Sequence, residues 1–150
     1  MESKRRIVLA KGTFDLLHYG HIYYLMHAKK AGGEDAKLVV VVARDKTVER
    51  LKGSSPVIPE DQRRAIVESL KVVDEAILGY EDMDMARVID DVKPDIIAVG
   101  YDQKDLEMEL HRYVRERSLN IEIVRMGKFE GKEPNSSSKI KRKIIEHYRK

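Results

Sequence analysis

Residues 12–21 read GTFDLLHYGH, a Gly-Thr-Phe-Asp turn followed by two imidazoles, His18 and His21, three positions apart. On a helix that spacing puts both side chains on one face, with Cβ atoms roughly 5–6 Å apart, so both rings can reach one small anion. Gly20 keeps the space between them open. Gly12 lets backbone approach a ligand closely, Thr13 offers a hydroxyl and an amide, and a helix opening near Tyr19 aims its positive end at the same point. A phosphate group suits such an arrangement. Two histidines without a carboxylate cluster make a poor metal site, so no metal site in the protein is expected. Asp15 is expected to order the turn by accepting backbone amides rather than to act as a base.

A second concentration of phosphate-binding groups lies at residues 135–144, NSSSKIKRKI. Ser136, Ser137 and Ser138 stand at the start of a helix, with Lys139, Lys141, Arg142 and Lys143 just inside it. A serine before an apolar-periodic run is ordinarily an N-cap. Basic residues in a first turn, however, oppose the helix dipole. An anion seated among the hydroxyls and amides resolves that conflict, and functional sites are where local rules give way. Arg63 and Arg64 read by themselves as a charged helix face.

Five apolar runs must position these groups, at residues 6–10, 38–43, 75–78, 95–99 and 121–124. Val and Ile without polar alternation predict parallel strands covered on both faces. Between them lie helical patterns. The first has Ile22, Leu25, Met26 and Lys29 on one face and stops at Gly32-Gly33; the second opens at Pro59 and is expected to bury Ile66, Val67 and Leu70. A third, Met85 to Val92, ends before Pro94, and a fourth, about Lys104 to Arg117, stripes Leu106, Leu110, Tyr113 and Val114. The last, Ser138 to Tyr148, sets Ile140, Ile144, Ile145 and Tyr148 at helical spacing, an apolar face expected to join the core. The alternation predicts one α/β domain over residues 1–150, with a Rossmann-like, doubly wound, five-stranded parallel sheet whose ligands bind at the carboxyl ends of the strands. Residues 44–59 and 125–139 read as long substrate loops.

Composition narrows the chemistry. The chain has no cysteine, which excludes a thiol nucleophile, a disulfide framework and thiolate zinc. No apolar run approaches the roughly 18 residues of a membrane span or forms a signal h-region, so a cytoplasmic protein without membrane contact is expected. Lys and Arg number 29 against 26 Asp and Glu, and a net charge of +3 gives no general case for nucleic acid. Neither G-x-G-x-x-G nor the P-loop pattern occurs, so phosphate binding must use another solution.

Taken together, the two ends are similar to a known family. GTFDLLHYGH resembles the [GT]-x-F-D-x-x-H-x-G-H signature of the cytidylyltransferase-like nucleotidyltransferases, and NSSSKI resembles the serine block that opens their last helix. VARDKTVERLKG, IPEDQRR, VVDEAILG and KPDIIAVGYDQ are most similar, within that superfamily, to the archaeal FAD synthase family; the glycerol-3-phosphate cytidylyltransferases are the near relatives. In the latter a short connection joins the last strand to the last helix, whereas here MGKFEGKEPN separates Arg125 from Ser136. That departure speaks for the flavin branch.

The resemblance implies a nucleotidyltransferase fold, a homodimer, and transfer of AMP from ATP to FMN with release of pyrophosphate, Mg²⁺ arriving with the triphosphate. It implies nucleotide binding by Gly12, Thr13, Phe14, His18, Tyr19, Gly20, His21, Asp102, Arg125, Ser136, Ser137 and Ser138, helped by Lys139. His18, His21 and Lys52 are the implied catalytic set, Lys46 or Lys52 would close over the acceptor phosphate, and Arg63 would brace the phosphate loop. Phe129, in the extra loop, is the first aromatic candidate for the flavin ring, with Tyr101 and Tyr24 as others. The alternatives are glycerol-3-phosphate cytidylyltransferase and a non-enzymatic nucleotide- or nucleic-acid-binding protein. Two residues depart from the family's pattern: Asn135 stands where an apolar residue is usual, and Lys11 precedes Gly12 where many relatives are small.

Overall fold

In a computed structural model that describes residues 4–82 and 84–149, all five apolar runs are strands. They are β1 (Ile7–Gly12), β2 (Lys37–Val42), β3 (Glu75–Leu78), β4 (Ile96–Val99) and β5 (Glu122–Arg125). They pair in parallel in the order β3-β2-β1-β4-β5. The chain moves outward from β1 to β3, then returns to the other side of β1 at β4. That reversal leaves a crevice over the carboxyl ends of β1 and β4, the place where doubly wound sheets bind ligands.

Six helices complete the fold: α1 (Tyr19–Ala31), α2 (Asp45–Lys52), α3 (Glu60–Glu68), α4 (Met85–Val92), α5 (Lys104–Glu116) and α6 (Ser137–Tyr148). One face of the sheet presents Val8, Ala10, Val40, Val42 and Ala98 to Leu25 and Ala28 of α1 and Val67 of α3. The other presents Leu9, Val39, Val41, Ile97 and Val99 to Val88 and Ile89 of α4 and Leu110 of α5. The period of two along each strand makes this division, and covering both faces is what the unbroken Val and Ile runs require.

Three expectations need correction. The segment after β2 is not a loop throughout, because Asp45–Lys52 forms α2, which buries Thr47 and Val48 and stops at Gly53 in a left-handed conformation, φ 81°. Charge dominates those eight residues, so they carry no apolar stripe to announce a helix. Ile66 is exposed on α3, and the helix instead buries Arg63 beside Val67. Finally, α6 buries none of its residues; Ile144, Ile145 and Tyr148 are 49%, 51% and 80% exposed, so its apolar face does not join the core. None of the described helices is long and apolar enough to cross a membrane.

Candidate active site

His18 is the N-cap of α1. Its Nδ1 accepts from the Gly20 amide at 3.1 Å, while His21 Nδ1 reaches back to accept from the His18 amide at 3.2 Å. Two imidazoles thus form the reciprocal capping box that Ser and Glu usually make. The consequence is chemical. With each Nδ1 lone pair committed to a backbone N–H, a neutral ring must carry its proton on Nε2. The ring centroids lie 3.9 Å apart with 32° between planes, so the two histidines act as one paired donor group. Burial lowers the pKa of both, and that of His21 falls to about 4 because the neighbouring His18 charge adds to the desolvation. Both rings are therefore neutral donors at physiological pH. A Cβ on Gly20 would come within 2.7 Å of His18 Cε1, so glycine is required there for the His18 ring.

The turn before them is strained and heavily braced. Phe14 and Leu16 adopt left-handed conformations, φ 57° and 49°, which cost a non-glycine residue roughly 1–2 kcal/mol each. Phe14 is buried, its ring 5.4 Å from that of His21, and a Cβ on Gly12 would come within 2.8 Å of it. Gly12 is thus demanded by Phe14 packing. Arg63, wholly buried, donates to Thr13 O at 2.7 Å, Ala43 O at 2.8 Å, Ile58 O at 2.8 Å and Asp45 Oδ1 at 2.7 Å. One guanidinium thereby joins the segments after β1, after β2 and before α3. The structure places Arg63 as a brace rather than on a solvated helix face.

Asp15 does accept backbone amides, but from another loop: Val57 N at 2.8 Å and Ile58 N at 2.9 Å. Its own carbonyl accepts from Ser137 Oγ, and Lys141 Nζ lies 3.7 Å from its carboxylate. Ser136 caps α6 by accepting from the Lys139 amide at 3.2 Å. These contacts dock the amino end of α6 on the histidine turn, from the far end of the chain.

A cavity of about 590 Å³ results. Gly12, Thr13, Phe14, His18, Gly20 and His21 line it on one side; Lys52 and residues 54–56 come from the end of α2, residues 100–103 from the end of β4, residues 127–129 from the segment after β5, and Asn135–Ser138 with Lys141 from α6. Lys11, Lys52, Lys128 and Lys141 set four cations there against Asp15, which is already bonded, and Asp102. Such a balance favours a polyanionic guest.

Four expected residues are not in the cavity lining. Tyr19 is exposed on α1 with its ring edge-on to Phe129 at 4.9 Å. Lys46 is exposed in the first turn of α2, whereas Lys52 at its carboxyl end reaches the cavity. Arg125 pairs in register with Val99, so its side chain takes the α4–α5 side and meets Glu107 at 3.5 Å. Lys139 is likewise turned to Asn135, Nζ to Oδ1 3.0 Å. Tyr24 lines the cavity, yet its hydroxyl is occupied, donating to Ala98 O at 2.6 Å and accepting from Lys11 N at 3.3 Å; burial raises its pKa above the usual phenol range.

Other lining residues escaped the sequence reading. Gln103 Oε1 accepts from Gly100 N at 2.8 Å and shapes the turn after β4, while Ser54 and Ser55 follow α2. Their signal was the Gly-Ser-Ser-Pro run at residues 53–56, the hydroxyl-rich exit from a helix that was not foreseen.

Comparison with known proteins gives the same picture. Over 139 residues the chain is 50% identical to an FAD synthase of Aciduliprofundum boonei, covering 93% of this chain and 90% of that one. An FAD synthase of Thermoplasma volcanium is also 50% identical over 139 residues, covering 93% and 94% of the two chains. A crystal structure from Thermoplasma volcanium, described as a lipopolysaccharide core biosynthesis protein, superposes with a TM-score of 0.76 at 46% identity, over 85% of this chain and 100% of that one. The family model described as cytidylyltransferase-like matches residues 9–143, from the first core strand to within α6. With both signature segments inside that span and facing one cavity, the chain belongs to the cytidylyltransferase-like family.

Proposed function

We propose that the chain is an FAD synthase, which transfers AMP from ATP to FMN and releases pyrophosphate. The observation that carries adenylyl transfer is the juxtaposition of two neutral imidazole donors with a helix amino end across one lysine-lined cavity. The relatives support the acceptor, since proteins half identical over nearly the whole chain carry that name.

The chemistry is a single displacement. A phosphate oxygen of FMN forms a bond to the α-phosphorus of ATP as the bond from that phosphorus to the bridging oxygen breaks, and pyrophosphate leaves with the electron pair. Such a reaction needs alignment and charge neutralisation more than acid or base. His18 and His21 donate Nε2–H to the α-phosphate and its bridging oxygen, where charge builds. Ser136 and the free amides at the start of α6, that of Ser137 among them, hold the β- and γ-phosphates, as helix amino ends do, while the Ser137 hydroxyl stays on the Asp15 carbonyl. Lys52 neutralises charge near the acceptor, and Asp102 stands by the nucleoside. The lysine-rich lining suits a triphosphate that arrives with its own Mg²⁺, an ion that keeps several waters and takes few protein ligands. When bound, that ion adds positive charge along the triphosphate. The proposal includes a homodimer in the cytoplasm, and the exposed apolar residues of α6 are consistent with a second copy covering them.

FMN-dependent release of pyrophosphate from ATP tests this reading. Salt-sensitive retention on nucleic acid with no release from any triphosphate would contradict it. Ser136→Ala should raise the ATP dissociation constant by about tenfold, a charge-assisted hydrogen bond being the interaction lost. The cap itself accounts for only about 1 kcal/mol of stability. Calorimetric titration separates the two: unchanged affinity with a lower melting temperature would leave Ser136 a cap alone.

Phe129 lines the cavity while packing on Tyr19 at 4.9 Å and Tyr23 at 5.4 Å, so it is both pinned to α1 and presented to a ligand. Loss of an aromatic stacking surface costs about 0.5–1.5 kcal/mol, so Phe129→Ala should weaken FMN by up to roughly tenfold, read from flavin fluorescence, with ATP within twofold. Lower stability with undiminished FMN affinity would assign Phe129 to pinning only.

A further inference from the structure

Lys11 has no task in the reaction as written, yet it is built into the site. In β1, Val8 and Ala10 pack into the α1–α3 layer and Leu9 into the α4–α5 layer, so by the period of two Lys11 turns to the α4–α5 side. Its side chain lines the main cavity and also a narrow pocket of about 20 Å³ beside Thr47, Tyr80 and Asp84. The backbone N–H of Lys11 donates to Tyr24 Oη at 3.3 Å, but among the described residues its ammonium has no hydrogen-bond or ion-pair partner. The Asp84 carboxylate is occupied in capping α4, accepting from Arg87 N at 3.3 Å. Burial lowers the pKa of the Lys11 ammonium, and the Glu109 charge opposes that only in part. A half-buried, unpaired cation is costly, and an anion beside it removes the cost.

The direction of approach identifies the anion. His18, His21 and the amino end of α6 lie together on the α1 side, where a Cβ on Gly20 would meet the Asn135 carbonyl at 3.3 Å. If they hold the α-phosphate and the departing pyrophosphate, an in-line displacement brings the attacking oxygen from the opposite side. Lys11 enters from that side, near α2, whose carboxyl end supplies Lys52. We propose that Lys11 is an acceptor-binding residue whose ammonium, together with that of Lys52, grips the phosphomonoester of FMN and presents its oxygen to the α-phosphorus. This rests on reading the chain as an FMN adenylyltransferase.

Lys11→Met keeps most of the length and removes the charge. It should raise the KM for FMN by about tenfold or more, the effect of one charged hydrogen bond, with the KM for ATP within twofold. Lys11→Arg should restore much of the loss. Direct binding gives a second readout: by fluorescence, FMN should bind Lys11→Met at least tenfold more weakly, whereas riboflavin, which lacks the phosphate, should bind both proteins alike. Lys11→Gln carries the same expectation should the Met variant fail to fold. An unchanged FMN affinity, an equal loss for riboflavin, or a loss in ATP affinity instead would overturn the inference. Absence of FMN-dependent turnover in the unaltered protein would instead overturn the activity on which it rests.

Discussion

Alanine at His21 should lower kcat by about 10²- to 10³-fold while leaving ATP affinity within roughly tenfold, because a donor aimed at developing charge acts mainly in the transition state. The same side chain also caps α1, so its loss removes about 1 kcal/mol of ordinary helix stability. His18→Asn separates the two roles of the pair. Asparagine is a good N-cap, so stability should largely survive, but the Nε2–H donor is gone and turnover should fall as it does for alanine. Steady-state kcat beside calorimetric ATP binding checks this, and equal losses of affinity with kcat intact would make the histidines ground-state anchors. A further signature follows from the depressed His21 pKa of about 4. An unfolded imidazole takes up its proton near pH 6.5, which the folded ring refuses until about pH 4, so the stability this confers is complete above 6.5 and is lost as pH falls from there toward 4. His21→Ala should flatten that part of the stability curve.

The other large effect is structural. Arg63→Met should destabilise the protein by about 3–5 kcal/mol, because it strips four acceptors of a buried guanidinium and leaves Thr13, Ala43 and Ile58 carbonyls without their partner. For a chain of this length that is a fall in melting temperature of roughly 10 °C or more. Arg63→Lys should recover little, since one ammonium cannot span acceptors on three segments. Activity should fall in parallel, because Thr13 and the strained turn behind the histidines are held by this residue. Thermal and urea melts check the magnitude; a loss below about 1 kcal/mol would mean the loops hold one another without it.

Much of this was legible in the sequence, for reasons that differ by element. The strands were, because a sheet buried on both faces leaves no room for polar alternation, and the runs in β2 and β4 are almost wholly Val and Ile. The two ends of the site were also legible, since His18, His21 and Ser136 act through local geometry: each caps the helix it opens. What was hidden depends on partners distant in sequence. Nothing near Arg63 says that three carbonyls will converge on it, so its own surroundings read as an exposed helical arginine while Ile66 claimed the core, and only the family resemblance pointed to a brace. Asp15 finds its amides 42 and 43 residues away. α2 was missed because its helix is secured by two buried residues, Thr47 and Val48, rather than by a stripe. The apolar spacing of α6 was read correctly as a face, but spacing cannot say whether anything lies against that face. For Arg125, the strand register decides which side its guanidinium takes, and register is a property of the assembled sheet.

Which nucleotide is joined to which acceptor separates the flavin branch from its near relatives. Purified protein given ATP, CTP, FMN and glycerol 3-phosphate together at equal concentration with Mg²⁺, and its products identified by mass, decides the matter in one measurement. The expected product is FAD, accumulating with pyrophosphate; CDP-glycerol in its place, with FMN untouched, would contradict the account.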